Sequence, residues 1–157
     1  MENYKRKKHK RFIVFSVCCV LLMIICVLLF IDHRLHDRNK PDIFEIPGTE
    51  YISTPINETY YDRHYMVQDL PDNEEDIKSM INKYITENDI VKESFSNSVD
   101  CVNLHFYTPS ISFPVYFEEN KNYFKMDDYI SHYDDNRFLL VTFDNANSEG
   151  KYLFSDE

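Results

Sequence analysis

Glycine is nearly absent from this chain, which holds only Gly48 and Gly150 in 157 residues. Loops that cradle phosphates need several glycines, because their backbone N–H groups must approach the ligand closely. Two isolated glycines cannot build such a loop, so the sequence excludes phosphate-loop nucleotide chemistry. The sequence signatures of a nucleophile elbow, a paired CxxC site and an HExxH zinc site are also missing.

Cysteine is scarce outside one apolar run near the N-terminus. Cys18, Cys19 and Cys26 lie in that run, and Cys101 stands alone after it. A single cysteine cannot form an internal disulfide, so the rest of the chain must be stabilised by packing. We expect Cys101 to be buried and inert, with pairing to a second chain as the alternative. Cys18 and Cys19 are expected to act as small apolar residues, with palmitoylation as the alternative.

Acidic residues are rare before residue 32 and abundant after it. Residues 1–31 hold six of the 17 Lys and Arg and one of the 27 Asp and Glu, which leaves 11 bases and 26 acids, a net charge of −15, in residues 32–157. A field of that sign repels nucleic acid and anionic headgroups and attracts basic partners. The same excess is also an ordinary means of keeping a domain soluble.

Residues 12–31 form an uninterrupted apolar run without a charged side chain. As a helix, twenty residues at about 1.5 Å each span the roughly 30 Å hydrocarbon core of a bilayer. The run therefore predicts a transmembrane helix that contacts the lipid bilayer directly. A cleaved signal peptide is the alternative, but the run is long for one and no small residue follows it.

The orientation of this helix follows from the basic residues beside it. Six Lys and Arg lie in residues 1–11, against three on the other side, Arg34, Arg38 and Lys40. The positive-inside rule places residues 1–11 in the cytoplasm as a basic tail and residues 32–157 outside it. The chain is thus expected to be a single-pass cell-membrane protein.

Two segments are expected outside the membrane. Residues 32–59 contain three prolines and one of the two glycines without a sustained hydrophobic period, so we predict a stalk or linker. Residues 60–157 show regular patterns and should form one extracytoplasmic domain. Tyr60–Val67 is rich in aromatic and β-branched residues, which predicts a strand.

The clearest helix signal in the domain begins at residue 72. Asp72 and Glu75 have the spacing of a capping box, and apolar residues then recur with a helical period at Ile77, Met80, Ile81, Tyr84 and Ile85. The helix should end near Asn88 and turn this stripe towards a core.

From residue 101 onwards the hydrophobic period drops to two. Alternating segments at 102–106, 111–117, 139–143 and 152–154 predict strands, with Pro114 marking an edge or a bulge. The fold class is therefore α+β, with one main helix packed on a four- to five-stranded antiparallel sheet.

Chemical motifs in the domain are weak. Cys101 and His105 lie too far apart along a strand, about 13 Å, for a thiol–imidazole pair. The His33, His36 and Asp37 spacing, the Asp128 and His132 pair, and the loop from Asn145 to Asp156 each fall short of a metal site. We expect no catalytic residue, no metal and no cofactor.

The function expected from these features is non-catalytic binding by a membrane-anchored protein, with an immunity-type role against a basic toxin as a sharper version. A protein or peptide partner, basic in charge, would contact an acidic and aromatic cluster, whose members are Asp127, Asp128, Tyr129, Tyr133, Asp134 and Asp135. An accessory subunit of a larger membrane complex is the alternative, and a hydrolase is a third interpretation.

The orientation generates a first prediction. Protease added to intact cells or spheroplasts should digest residues 32–157 and leave an N-terminal tag protected, because only the basic tail lies inside. A protected C-terminal tag would contradict the orientation. A mature N-terminus near Asp32 would show instead that the apolar run is a cleaved signal peptide.

Overall fold

The computed structural model of the protein describes residues 2–54, 58–117, 134–146 and 148–155. The helices and strands, in chain order, are α1 (Glu2–Leu35), β1 (Ile43–Glu45), β2 (Tyr51–Ser53), β3 (Tyr60–Val67), α2 (Glu74–Glu87), α3 (Ile90–Phe95), β4 (Cys101–Tyr107), β5 (Arg137–Phe143) and β6 (Lys151–Phe154). A single turn of 3₁₀ helix at Asp134–Asn136 precedes β5.

Helix α1 contains the predicted apolar run. Among the described residues it is the one helix long and apolar enough to cross a membrane, over Ile13–Leu35. Apart from Cys19, its side chains from Ile13 to Phe30 are exposed, and no residue of α1 belongs to the core clusters formed by the described residues. A protein of this architecture is compatible with a single pass through a membrane.

The domain that follows is α+β, as predicted, but its sheet is mixed and has six strands within the described part of the chain. The strands lie in the order β1-β3-β4-β5-β6, and β2 also pairs with β3. β3 and β4 are parallel, while the other pairs are antiparallel. The prediction of an all-antiparallel sheet was therefore wrong. Helices α2 and α3 occupy the connection between β3 and β4 and carry the chain back to the end where β3 began, which makes the two strands parallel.

The sheet also begins earlier than the predicted domain start at residue 60. β1 and β2, both inside the predicted stalk, share one edge of β3. Ile43 pairs with Val67, and Tyr51 pairs with Asp62. The segment from Ile43 to Tyr51 is therefore three residues longer than the segment of β3 that it faces. The extra residues form a loop that passes through Gly48, whose φ of 69° favours glycine. Proline and glycine in this segment thus mark a broken edge strand.

One face of the sheet packs against α2 and α3. Ile77, Ile81 and Ile85 of α2 are buried against residues of β3, β4 and β5, and Met80 and Tyr84 pack beside them. The predicted helical stripe is confirmed, and α2 ends at Glu87 with Asn88 as its C-cap. The N-cap lies one residue later than predicted.

The cap of α2 is Asn73, whose side-chain oxygen accepts a hydrogen bond from the backbone N–H of Asp76 at 2.9 Å. Asp72 precedes the helix. An Asn cap satisfies one of the first free N–H groups of a helix as well as Asp does, so local sequence did not separate the two positions.

The predicted strand at 111–117 is a loop. Phe113 and Val115 alternate into a second, smaller core with Phe44, Ile46 and Met66. The backbone there pairs with α1 and with itself: the N–H of Val115 donates to the carbonyl of Arg34 at 3.1 Å, and that of Ser110 to the carbonyl of Phe113. Alternation was detected correctly, but it reports burial of every second side chain and not pairing with a strand.

The face of α2 can be tested by a matched pair of substitutions. Ile81 is fully buried, so Ile81→Asp would place an unpaired charge in the core and should lower the free energy of unfolding by about 3–5 kcal/mol. Lys83→Asp, on the exposed face, should change it by less than about 1 kcal/mol. Thermal or denaturant unfolding of the full chain in detergent gives both values, and equal losses would contradict the burial of this face.

Candidate functional site

An open cleft of about 820 Å³ lies between the two helices and the β5–β6 hairpin. One wall comes from α2 and α3 and the other from the hairpin loop. The lining residues are Lys78, Ser79, Asn82, Ile85, Thr86, Asp89, Val91, Lys92, Phe143, Ala146, Ser148, Glu149, Gly150 and Tyr152. This volume is within the range of small-molecule and peptide sites, which is about 300–1,000 Å³.

The cleft has an apolar floor and a polar rim. Ile85 and Phe143 belong to the main core, and Tyr152 packs against it. Ser79, Asn82 and Thr86 of α2 are exposed above them. An apolar floor with polar groups around it is the usual composition of a ligand site, because the floor supplies affinity and the rim supplies orientation.

Gly150 brings the backbone of the hairpin unusually close to β5. A Cβ at this position would lie 2.7 Å from Cγ1 of Val141 and 2.8 Å from Cζ of Phe143. The absence of a side chain therefore allows the hairpin to rest directly on β5, with Phe143 left in place in the cleft floor. A larger residue would have to displace that ring.

Charges of both signs surround the cleft. Lys78, Lys92 and Asp89 lie on the helical wall, and Glu149 lies in the hairpin loop. Lys78 already has two partners: its ammonium lies 3.7 Å from the carboxylate of Glu74 and 5.2 Å from the centre of the Phe154 ring. Asp89 has a φ of 51°, a left-handed conformation that Asp and Asn tolerate better than most residues.

A second group of polar side chains lies on the sheet face opposite the helices. The rings of His64 on β3 and His105 on β4 are stacked, with their centres 4.5 Å apart. Nε2 of His105 lies 3.0 Å from a carboxylate oxygen of Asp62, and its Nδ1 lies 3.3 Å from the Arg137 guanidinium. Nδ1 of His64 lies 3.0 Å from the Tyr107 hydroxyl.

Parallel pairing of β3 with β4 creates this cluster. His64 is directly opposite His105 in the register, and Asp62 is opposite Asn103. Since side chains two residues apart share a face, all four project from the same side. Asn103 donates to Asp62 at 3.0 Å and accepts from Thr142 on β5 at 3.0 Å, which extends the row across three strands.

Burial governs the titration of His64. It lowers the pKa of His64 to about 3, and the neighbouring His105 and Arg137 act in the same direction while Asp62 opposes them. Burial alone would raise the pKa of Asp62, but the hydrogen bonds from His105 and Asn103 outweigh it, so this pKa lies below its usual value.

These contacts do not assemble a nucleophile. Both ring nitrogens of His105 are paired within the cluster. The thiol of Cys101 lies 4.0 Å from the side-chain oxygen of Asn103, and burial raises its pKa, the opposite of what a reactive thiol requires. The geometry is that of a partly buried polar layer that positions strands.

The predicted partner-binding residues are only partly described. Asp127, Asp128, Tyr129 and Tyr133 lie outside the described residues. Asp134 and Asp135 belong to the 3₁₀ turn before β5, and the turn is tied to the end of β4 because the N–H of Thr108 donates to the carbonyl of Asn136 at 2.9 Å. Neither aspartate lines the cleft.

Two of the candidate metal ligands, His33 and His36, contact different partners. Nδ1 of His33 is 2.7 Å from the Tyr116 hydroxyl, and the ring of His36 lies 3.5 Å from both Asp32 and Asp69. Within the described ranges, no group of three His, Cys, Asp or Glu residues is placed to hold a metal ion. His132, Asn147 and Asp156 lie outside these ranges.

The cleft was not predicted from sequence. Its walls come from residues 78–92 and 143–152. The sequence predicted the helix that starts near residue 72 and the strands at 139–143 and 152–154, but not that they meet at a cleft. Comparisons with protein-family models, with curated proteins and with solved structures find no match to this chain.

Burial of His64 predicts a pH-dependent stability. Between pH 6.5 and about 3 the unfolded chain binds a proton at this histidine and the folded chain does not, so stability falls as pH falls through this window. The slope from one such group is at most about 1.4 kcal/mol per pH unit. His64→Asn, which removes the titration, should flatten the dependence measured by chemical unfolding of the full chain in detergent.

Tyr107→Phe is the control, since it removes the hydroxyl that lies 3.0 Å from Nδ1 of His64 and keeps the imidazole in place. It should lower the stability but keep the fall in stability between pH 6.5 and about 3. An identical profile in His64→Asn would show that His64 does not titrate on unfolding in this range.

Proposed function

We propose that this chain is a membrane-anchored, non-catalytic binding protein. Helix α1 serves as the anchor, and the acidic domain lies outside the cytoplasm and binds a protein partner through an extended, basic peptide segment. The open cleft between the helices and the β5–β6 hairpin carries this proposal.

The shape of the cleft supports a peptide as ligand. It is open to solvent, with apolar side chains below and hydroxyl and amide groups of Ser79, Asn82 and Ser148 at the rim. Side chains of an extended peptide that alternate between floor and solvent would match this arrangement. β6, the last strand in the sheet order, contributes Tyr152 to the floor.

Charge supports a basic ligand. The cleft itself carries both signs, since Asp89 and Glu149 are exposed beside Lys78 and Lys92, and it is the negative net charge of residues 32–157 around it that favours a basic ligand. Long-range attraction of this kind raises association rates and is screened over about 8–10 Å at physiological ionic strength. Binding should therefore weaken as salt increases, mainly through the on-rate.

The cleft and the charge of the domain support the proposal, and the histidine layer has no part in it. The histidine layer lies on the sheet face opposite the helices, where His105 contacts Asp62 on β3 and Arg137 on β5 and His64 contacts Tyr107 on β4. We therefore assign it to fold specificity.

The proposal predicts a selective effect of blocking the cleft. A library of randomised peptides is selected against the full chain in nanodiscs. The selected peptides should be basic and should contain regularly spaced apolar residues. Thr86→Trp, which fills the cleft, should reduce their affinity by at least tenfold, about 1.4 kcal/mol. Lys83→Trp on the same helix, outside the cleft, should leave affinity within twofold.

Charge variants complete this experiment. Asp89→Asn with Glu149→Gln should slow association more than Glu74→Gln with Glu75→Gln, which removes the same number of charges at the start of α2. Selected peptides without basic residues would contradict the electrostatic part. Peptides that bind Thr86→Trp as tightly as the unmodified chain would contradict the cleft.

A further inference from the structure

The loop of residues 108–117, here called the collar loop, is fixed to the outer end of α1. The guanidinium of Arg34 donates to the carbonyl of Ile111 through Nε at 3.0 Å, and the carbonyl of Arg34 accepts from Val115 at 3.1 Å. The Tyr116 hydroxyl pairs with His33 at 2.7 Å. Because the collar loop is bound to His33 and Arg34, the distance of these two residues from the apolar run sets the distance of the loop from the membrane.

The composition of the collar loop differs from that of the rest of the domain. Residues 102–117 contain no Asp, Glu, Lys or Arg, although residues 32–157 hold 26 acids. Within the collar loop, Ile111 is 53% exposed and Tyr116 is 40% exposed. An uncharged loop with an exposed aliphatic and an exposed aromatic side chain is suited to the polar–apolar boundary of a bilayer.

The collar loop has a rigid base. Phe113 and Val115, which alternate with the exposed residues, are fully buried in the second core with Phe44 and Ile46. Lys40 donates to the carbonyl of Val115 at 3.1 Å, and its ammonium lies 4.5 Å from the centre of the Phe44 ring. These contacts hold Ile111 and Tyr116 in place before any lipid is met.

The depth of the collar loop follows from helix geometry. If the hydrocarbon core ends at Ile31, the last residue of the apolar run, Arg34 lies about 4.5 Å beyond it, at 1.5 Å per residue. The headgroup region adds roughly 5–7 Å on each side of the hydrocarbon core. Arg34, and the Ile111 carbonyl that it binds, therefore fall within the headgroup layer.

We propose that the collar loop docks on the phospholipid headgroup layer of the membrane that α1 crosses, with Ile111 and Tyr116 inserted at the boundary with the acyl chains. The domain is thereby held in one orientation on the bilayer surface and does not swing freely on its anchor. This inference rests on the proposed role of α1 as a membrane anchor, and it adds a second, lateral contact with lipid.

Tryptophan fluorescence, excited at wavelengths that tyrosine does not absorb, offers a direct test, because the chain contains no tryptophan and each single variant has one. Ile111→Trp and Tyr116→Trp are made separately in the full chain and reconstituted into phosphatidylcholine vesicles. Ile52→Trp is the matched control, since Ile52 is 49% exposed and lies on β2, which pairs with the start of β3 at the opposite end of the sheet from the collar loop. Leu22→Trp, in the middle of α1, reports on the anchor.

Phospholipids brominated near the top of the acyl chains should quench tryptophan at positions 111 and 116 several-fold more than at position 52. Iodide in the aqueous phase should give the reverse order. Either collar variant alone suffices, so misfolding of one, detected by circular dichroism, leaves the other to decide.

The anchor control separates two failures. One outcome is that lipids brominated near the ends of their acyl chains quench tryptophan at position 22, while iodide quenches positions 111 and 116 as much as position 52. That outcome would overturn docking and leave the anchor intact. The absence of quenching at position 22 would overturn the anchor, and docking with it.

Discussion

The parallel pairing of β3 with β4 is the constraint on which the rest of the domain depends. A parallel pair requires a crossover connection, and here that connection consists of α2 and α3, which cover one face of the sheet. The same direction of β4 brings its end, and the collar loop after it, to the end of β3 where Val67 pairs with Ile43. The position of the cleft and that of the collar loop thus both follow from this one choice of strand direction.

Burial on both faces also explains the composition of these two strands. Parallel strands at the centre of a sheet are usually covered on both sides, and Arg63, His64 and Tyr107 are all buried here. Arg63 is satisfied by two carboxylates: Nε donates to Glu45 on β1 at 2.8 Å, and another nitrogen lies 3.2 Å from Glu93 on α3. A buried charge held in this way ties the edge strand and the crossover helix to β3 and disfavours other registers.

The joint between α1 and the domain has consequences for both proposals. Contacts of Arg34 and His33 with the collar loop couple the helix to the second core, and Gln68 extends the joint by donating to the carbonyl of Pro41 at 3.0 Å. A domain connected in this way has less rotational freedom than one on a flexible linker. A fixed orientation would present the cleft at a constant angle to the membrane, which lowers the entropic cost of binding a partner that is itself confined to that surface.

Local sequence determined the elements whose signal lies within a few residues. The apolar run of α1, the helical stripe of Ile77, Ile81 and Ile85, and the strands β3, β4, β5 and β6 were recognised because periodicity and capping act over one or two turns. The sequence also excluded a phosphate-binding loop, because such a loop needs several glycines within a few residues and this chain has two isolated ones.

Only the tertiary structure decided which strands pair, and in which direction. His64 and His105 are 41 residues apart, and nothing near either residue indicates that their rings stack. The pairing of β1 and β2 with β3, the loop at 111–117 and the cleft likewise depend on contacts between distant segments. Such contacts form when the crossover brings chain segments together and buries their side chains, and the free energy of that burial is a property of the assembled sheet and not of any single segment.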